Sequence, residues 1–487
     1  MEMMTTVLIR AVLAGLAIAA LALTWVDPDL WGHVRFGLDI IDAGRLHDHD
    51  PYSFTSDVPW MNHEWLSETL MAAAFMAGGS PGLILLKLSV VVATVIAAMR
   101  PVWRSGCDVT AQDAMLAVLL AGIWIRVYVV RPQIFSLLCF AILLAVLRTV
   151  ESGSTRRLVW LPVIFALWVN LHGGWLVGAG MLTLWAVVSA ATAKQTARIP
   201  LALGVAASLA ATLVNPYGTG MWTFLAETVR PARPLIDDWR PLSATPALLP
   251  FWIPVAATAA FALWRFRRAI PWGHVAIVVA LGAASVRVSR LDAFFAIATV
   301  GLLGPHIVGM RADTFPSFSP SRRMWPVAIA LAGALLLATA VGTRTFRCIG
   351  MEGLEWLPER DVVPAIRSAN LQGRMITWFG WGQYAIWHLA PAVRVSFDGR
   401  RETVYSDRFG NAHVRLYWVP NEAHDLFQSL DADFAWVPKE LALGTFLEAQ
   451  GWTKIFEGSR SSVFSRRSHA PLPPNAAEAG SRCFPGP

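Results

Sequence analysis

Apolar stretches close to the ~20 residues that cross a bilayer recur near 6–25, 81–99, 112–129, 133–148, 158–171, 174–192, 200–216, 250–264, 270–287, 291–309 and 324–343, with polar segments between them. The pattern predicts eleven transmembrane helices, give or take one. The stretch 158–192 reads as two short helices broken at His172-Gly173-Gly174, and 64–78 as a surface helix or a further short span. The first run has only Arg10 in its n-region and leads into Trp25-Val26-Asp27-Pro28, so it reads as a retained span rather than a cleaved leader. After about residue 345 the pattern changes. Arg374–Trp378 and Val393–Phe397 alternate like strands, whereas 361–370 and 439–450 have helical spacing. The expected fold class is an α-helical polytopic membrane protein with a small extracytoplasmic α/β C-terminal domain. Its parts are a membrane module at 1–344 with an outside loop at 26–80, a domain at 345–467, and a disordered tail at 468–487. A second outside loop, 217–248, is Pro-rich and reads as unstructured.

Composition sharpens this. Hydrophobic residues make up 55% of the chain and charged residues 15%, with a mean hydropathy of +0.49; a soluble protein carries about a quarter charged residues. A soluble enzyme, a disordered chain and a small disulfide scaffold are excluded. The net charge of +7 does not point to nucleic acid, because the basic residues sit between apolar runs. They are dense on one side (Arg104, Arg148, Arg156, Arg157, Arg265, Arg267, Arg268) and sparse on the other (Arg35, Arg131, Arg240, Arg287, Arg290). The positive-inside rule then puts the N-terminus in the cytoplasm and the C-terminal domain outside. In a bacterium with two membranes this is a multi-pass inner-membrane protein with a periplasmic domain. Cys107 and Cys139 read as small apolar residues. Cys348 and Cys483 both fall outside, where a bond between them would tie the tail back, a pairing the sequence leaves open.

The candidate chemistry gathers in the first outside loop. Asp27 and Asp29 follow directly on a helix end in Trp25-Val26-Asp27-Pro28-Asp29-Leu30-Trp31-Gly32-His33, where Asp29 is placed to cap a short helix with Leu30, Val34, Leu38 and Ile41 on its apolar face. His47-Asp48-His49-Asp50 resembles a metal tract but reads as solvated loop, with Asp50 opening an Asp-Pro turn. Further on come Asn62-His63-Glu64, in which Glu64 also suits the first turn of the next helix. Arg131, Arg287 and Arg290 sit at outside helix junctions, positions that serve either snorkelling or an anionic headgroup. In the tail domain, Asp398-Gly399-Arg400 reads as a strand running into a turn.

These segments, together with Arg131-Pro132-Gln133, Asn170-Leu171-His172-Gly173-Gly174, Asn215-Pro216-Tyr217-Gly218, Trp381-Gly382-Gln383-Tyr384 and Phe397-Asp398-Gly399-Arg400, resemble a family of large, mostly uncharacterised bacterial membrane proteins. Through the first-loop carboxylate and the architecture, the chain also resembles the GT-C glycosyltransferase superfamily, which includes the protein O-mannosyltransferases and the lipid A aminoarabinose transferase. The resemblance implies inverting transfer of a sugar from a polyprenyl-phosphate donor to a glycan, lipid or protein acceptor on the extracytoplasmic face, within membrane lipid. It implies a first-loop acidic residue as general base, matched here by Asp29, or by Asp27 with the order reversed. Trp25 and Trp31 around Asp29 favour it, by desolvation. Arg131 with Arg287 or Arg290 would hold the phosphate, and His33, His63, Glu64, Asp398 and Arg400 would contact substrate. No cofactor is expected; a divalent metal on the loop carboxylates and histidines stays unassigned.

Two non-enzymatic readings stand beside this one. One is a catalytically idle scaffold of envelope glycan assembly. The other is a transporter or flippase of lipid-linked glycans, which would place charge near the bilayer midplane, where only Lys87 is noticed within a span.

Overall fold

The computed structural model describes residues 2–106, 109–192, 195–229, 239–309, 344–472 and 482–487, and between 310 and 343 only 331, 333–336 and 338. The chain divides into two compact units. One comprises residues 1–24 and 84–347, and the other residues 25–83 and 348–487. The first loop thus belongs to the same unit as the C-terminal domain, although the 264 residues 84–347 separate them in the chain.

Among its described residues the first unit is built of helices: α1 (Glu2–Ala22), the second part of α3 (Trp65–Arg104), α4 (Val109–Val127), α5 (Gln133–Glu151), α6 (Trp160–Leu171), α7 (Trp175–Thr192), α8 (Gln195–Ala211), α9 (Gly220–Val229), α10 (Leu249–Arg265), α11 (Trp272–Arg287), α12 (Asp292–Ala298) and α13 (Gly304–Gly309). Among the described residues, five helices are long and apolar enough to cross a membrane: Trp65–Arg104, Val109–Val127, Gln133–Glu151, Pro246–Arg265 and Ser289–Gly309. Three shorter apolar helices accompany them. This is a multi-pass membrane module, but the count of eleven stays an expectation. The span expected at 324–343 falls largely outside the described residues, as does Cys107. Part of the Pro-rich loop is ordered after all, since α9 lies within it.

Two breaks arise from recognisable chemistry. Inside α3, Gly78 (φ −162°, ψ 16°) and Gly79 (φ 60°, ψ −138°) interrupt the helix; the second value suits only a residue without Cβ. The break falls between the expected segments 64–78 and 81–99. Between α6 and α7, His172 turns to an extended backbone. Its Nδ1 accepts the Gly174 N–H at 3.0 Å and bonds the Ser136 hydroxyl at 2.7 Å, which itself accepts the Trp168 indole N–H. The side chain therefore substitutes for the backbone bonds lost at the break.

The second unit contains α2 (Leu30–Ala43), the start of α3, and an α/β domain with α14 (Val362–Ser368), β1 (Gly373–Thr377), α15 (Gly382–Leu389), β2 (Val393–Val395), α16 (Asp407–Trp418), α17 (His424–Leu430), β3 (Phe434–Pro438), α18 (Ala442–Ala449), β4 (Thr453–Glu457) and β5 (Ser461–Ser465). The sheet order is β2-β1-β3-β5-β4. β1 runs parallel to β2 and β3, and β5 antiparallel to β3 and β4. The first loop joins this sheet: Ser53 pairs with Val395, with Val395 N–H donating to Tyr52 O and Phe54 N–H to Val395 O. A core of Ile376, Tyr417, Leu430, Val437, Leu447 and Phe464 fills the space between sheet and helices.

Of the tail expected to be disordered at 468–487, residues 468–472 and 482–487 are described, and the last six are held by bonds to the domain. Cys348 and Cys483 form a disulfide, Met351 N–H donates to Arg482 O, and Phe484 N–H donates to Ile349 O. Phe484 packs against Trp31, Phe75 and Trp387. Apolar burial of one aromatic ring contributes about 2–3 kcal/mol, enough with the covalent tie to order a short peptide.

Candidate functional site

Asp27 and Asp29 are not equivalent. Asp27 is buried, and its Oδ1 accepts the Asp29 N–H at 3.0 Å while its carbonyl accepts the Leu30 N–H. Asp29 occupies the N-cap position of α2, yet its side chain makes no capping bond. Its carboxylate turns instead toward Gly399: a Cβ on that glycine would lie 2.0 Å from Asp29 Oδ1. The capping role expected of Asp29 is taken by the Asp27 turn. The apolar face of α2 is also wider than Leu30, Val34, Leu38 and Ile41, because Trp31, Phe36 and Ile40 are buried and Ile41 is exposed. Of the two Trp residues expected to shield Asp29, Trp25 is exposed. Trp31 is fully buried, edge-on to Tyr384 at 4.9 Å, its indole N–H donating to Pro485 O.

One turn along α2, His33 Nδ1 lies 3.1 Å from Glu68 Oε1, and Asn62 Nδ2 donates to Glu68 Oε2 at 2.6 Å. Burial pushes the imidazole down, but the Glu68 hydrogen bond and the charges of Glu64, Glu68 and Asp29 outweigh it and raise its pKa to about 9. At neutral pH His33 is therefore an imidazolium beside Asp29. His63 Nε2 and Glu64 Oε1 are 3.6 Å apart and half-buried just ahead of α3, with Glu64 N–H donating to Asn62 Oδ1. Asp27, Asp29, His33, His63 and Glu64 all lie in this unit. Among the described residues no three His, Cys, Asp or Glu side chains gather as a metal site requires.

Asp398 and Arg400 are committed elsewhere. The Arg400 guanidinium donates to Asp50 Oδ1 and Oδ2 at 2.7 and 2.8 Å and to Asp398 Oδ1 and Oδ2 at 2.9 and 2.7 Å. It is ringed by Phe36, Tyr52 and Trp60, with centroids 4.9–5.4 Å away. The Tyr405 hydroxyl donates to Asp398. Burial pushes the Asp398 carboxyl up, and Arg400 outweighs it, holding the group below the usual carboxylate range. Asp50, expected in a solvated loop, is thus a buried ion-pair partner, although its Oδ1 also accepts the Tyr52 N–H in the expected turn. Within the same tract His47 stacks on Trp60, while Asp48 remains exposed and pairs with Arg45.

In the helical unit, Arg131 stands immediately ahead of α5, its carbonyl accepting the Ile134 N–H. Arg287 ends α11 and is exposed. Arg290 lies in the following turn with its guanidinium 5.1 Å from the Trp239 ring. A feature not noticed in the sequence is a buried bidentate pair, Arg126 Nε to Asp292 Oδ1 at 2.9 Å and Nη2 to Oδ2 at 3.0 Å, joining α4 to α12. Lys87 is therefore not alone within the helices: it is fully buried and donates to Leu23 O at 2.9 Å.

The chain is similar to ArnT from Cupriavidus metallidurans, solved bound to undecaprenyl phosphate, with a TM-score of 0.56 at 14% identity over 96% of this chain and 99% of that one. The fold is GT-C-like. The mycobacterial arabinofuranosyltransferase AftD is also similar, with a TM-score of 0.52 at 12% identity over 95% of this chain, which spans 42% of AftD. No protein-family model and no curated protein matches. Within the second unit, three of the sequence segments that carried the resemblance meet physically. Trp31-Gly32 of the first loop, Gly382-Gln383-Tyr384 of α15 and Asp398-Gly399-Arg400 interlock, since a Cβ on Gly32 would meet Gln383 Oε1 at 2.0 Å and one on Gly382 would meet Asp398 Cβ at 2.4 Å. Glu68, Asn62, Asp50 and Gln383 were missed as site residues, and of these only Glu68 stood outside the segments already singled out.

Proposed function

We propose that this protein is a membrane glycosyltransferase that moves a sugar from a polyprenyl-phosphate donor to an acceptor hydroxyl on the extracytoplasmic face, with Asp29 as general base. The observation that carries the reading is the seating of Asp29: half-buried, released from helix capping, pressed against Gly399 and flanked by the His33 imidazolium. The fold, and the undecaprenyl phosphate bound to ArnT, support the donor class. In the transfer, the acceptor oxygen forms its bond to the anomeric carbon as the sugar–phosphate C–O bond breaks. Asp29 takes the hydroxyl proton, and the polyprenyl phosphate leaves with its electron pair from the opposite face, inverting the centre. Within the helical unit, Arg131, Arg287 and Arg290 are the cations whose chemistry suits a lipid phosphate. Asp27 shapes the turn that presents Asp29. His63 and Glu64, at the rim of the same cluster, contact the acceptor. Asp398 and Arg400 act indirectly, by anchoring the turn that carries Gly399. The bacterial inner membrane, with the N-terminus cytoplasmic and residues 345–467 periplasmic, suits this chemistry and the distribution of basic loops.

Asp29→Asn tests the reading. In a strain whose envelope glycans are followed by mass spectrometry, the variant should insert and melt like the parent yet lose transfer by at least about 10³-fold, in keeping with removal of a group acting in the transition state. Full transfer by a normally inserted variant would discard Asp29 as base and favour the scaffold.

A further inference from the structure

Gln383 is buried, 3% exposed, in the first turn of α15, and its Oε1 has no hydrogen-bond partner. Its side chain passes between two glycines from distant segments. A Cβ on Gly32 would lie 2.0 Å from Oε1, and one on Gly399 would lie 2.8 Å from Nε2 and 2.0 Å from Asp29 Oδ1. Neither glycine has a positive φ, so each is there for space rather than for backbone conformation. The amide nitrogen and the Asp29 carboxylate therefore border the same point, which the missing Gly399 side chain leaves open. The reverse orientation of the amide would turn its oxygen toward a carboxylate, which has only acceptors to offer. A buried amide oxygen without a partner is costly to keep. An apolar side chain such as Met would fill the slot without that cost, so packing does not account for the amide.

We propose that Gln383 is the positioning residue for Asp29: its amide N–H faces the carboxylate, selects its rotamer and favours its ionised form. This rests on the reading of Asp29 as base. An N–H directed at a carboxylate lowers its proton affinity, which keeps a half-buried base ready to accept a proton at neutral pH. The charged groups contributed by the surrounding elements are Asp27 before α2, His33 on α2, His63, Glu64 and Glu68 at the start of α3, and Asp398 and Arg400 on the turn after β2. The last two pair with each other and with Asp50, which leaves that buried group with one net negative charge. His33 acts in the same direction as Gln383, and Asp27, Glu64 and Glu68 act against it.

The test needs no knowledge of the sugar. The full chain in lipid nanodiscs is treated with dicyclohexylcarbodiimide, which reacts with protonated carboxyl groups, and labelling of the peptide containing Asp29 is followed by mass spectrometry across pH. Gln383→Met keeps the volume and removes the donor; Gln383→Glu keeps the shape and adds a negative charge. The labelling midpoint should rise by about one pH unit in the first and further in the second. Melting should be unchanged in Gln383→Met, and transfer should show kcat reduced about tenfold or more with donor KM within twofold. Midpoints that stay with the parent in both folded variants overturn the proposal. If Asp29→Asn retains transfer, the base assignment fails instead, and the labelling series still reports whether Gln383 governs that carboxylate.

Discussion

Arg400 and His33 are both cations set among carboxylates in the same unit, and the difference lies in how deeply the carboxylates around each are buried. Arg400 meets two carboxylates with four hydrogen bonds, its own side chain 4% exposed and those of Asp50 and Asp398 1% and 0%. An aromatic box closes around it. His33 is held on one side by Glu68, itself held by Asn62, while Asp29, Glu64 and His63 stay half-buried. The same residue types thus build a closed joint in one place and an open, charge-biased surface in the other. Full burial closes the Arg400 cluster off from solvent, whereas Asp29, Glu64 and His63 keep part of their surface exposed.

The largest expected effect is at the closed joint. Arg400→Met should strand two buried carboxylates and cost about 3–5 kcal/mol, read as a marked fall in melting temperature; a variant melting with the parent would dissolve the contrast. Next comes the pH response of the open cluster. Because folding raises the His33 pKa from 6.5 to about 9, its contribution is fully present below about pH 6.5 and fades as pH rises through 9. The shift corresponds to about 3 kcal/mol. Denaturant melts between pH 6 and 10 should show that loss in the parent and a flatter profile in His33→Gln; parallel profiles would remove the imidazolium from the account. The smallest effect is expected for Asn62→Leu, which takes one donor from Glu68 and should cost about 1–2 kcal/mol, with the His33 titration shifted slightly upward by NMR.

Helical runs and strand alternation were readable because they depend on nearest neighbours. The break at His172 and the strands near 374 and 393 fall where the local pattern puts them. What the pattern lacked was pairing over distance. His47-Asp48-His49-Asp50 has the composition of a solvated loop, and nothing adjacent announces that Asp50 meets Arg400, 350 residues on. Arg126 and Asp292 likewise look like isolated charges at helix ends until α4 and α12 pack. Of the site, the first-loop carboxylates were visible, but choosing between Asp27 and Asp29 depended on which one the turn consumes. At the tail, the local pattern gave no sign that residues 482–487 are held through Cys348 and through aromatic rings made much earlier in the chain.

That tail has a consequence for biogenesis. Helix α2 is made early in synthesis, yet its Trp31 bonds to Pro485, 454 positions later, and Ser80 bonds to Phe484, 404 positions later. The bond from Cys348 to Cys483 closes a loop spanning 135 positions. Contacts of such separation form late. The seat of Asp29 is therefore completed among the last steps of folding, and a chain stalled or clipped before residue 482 would carry every segment of the site and still lack the wall that holds it together.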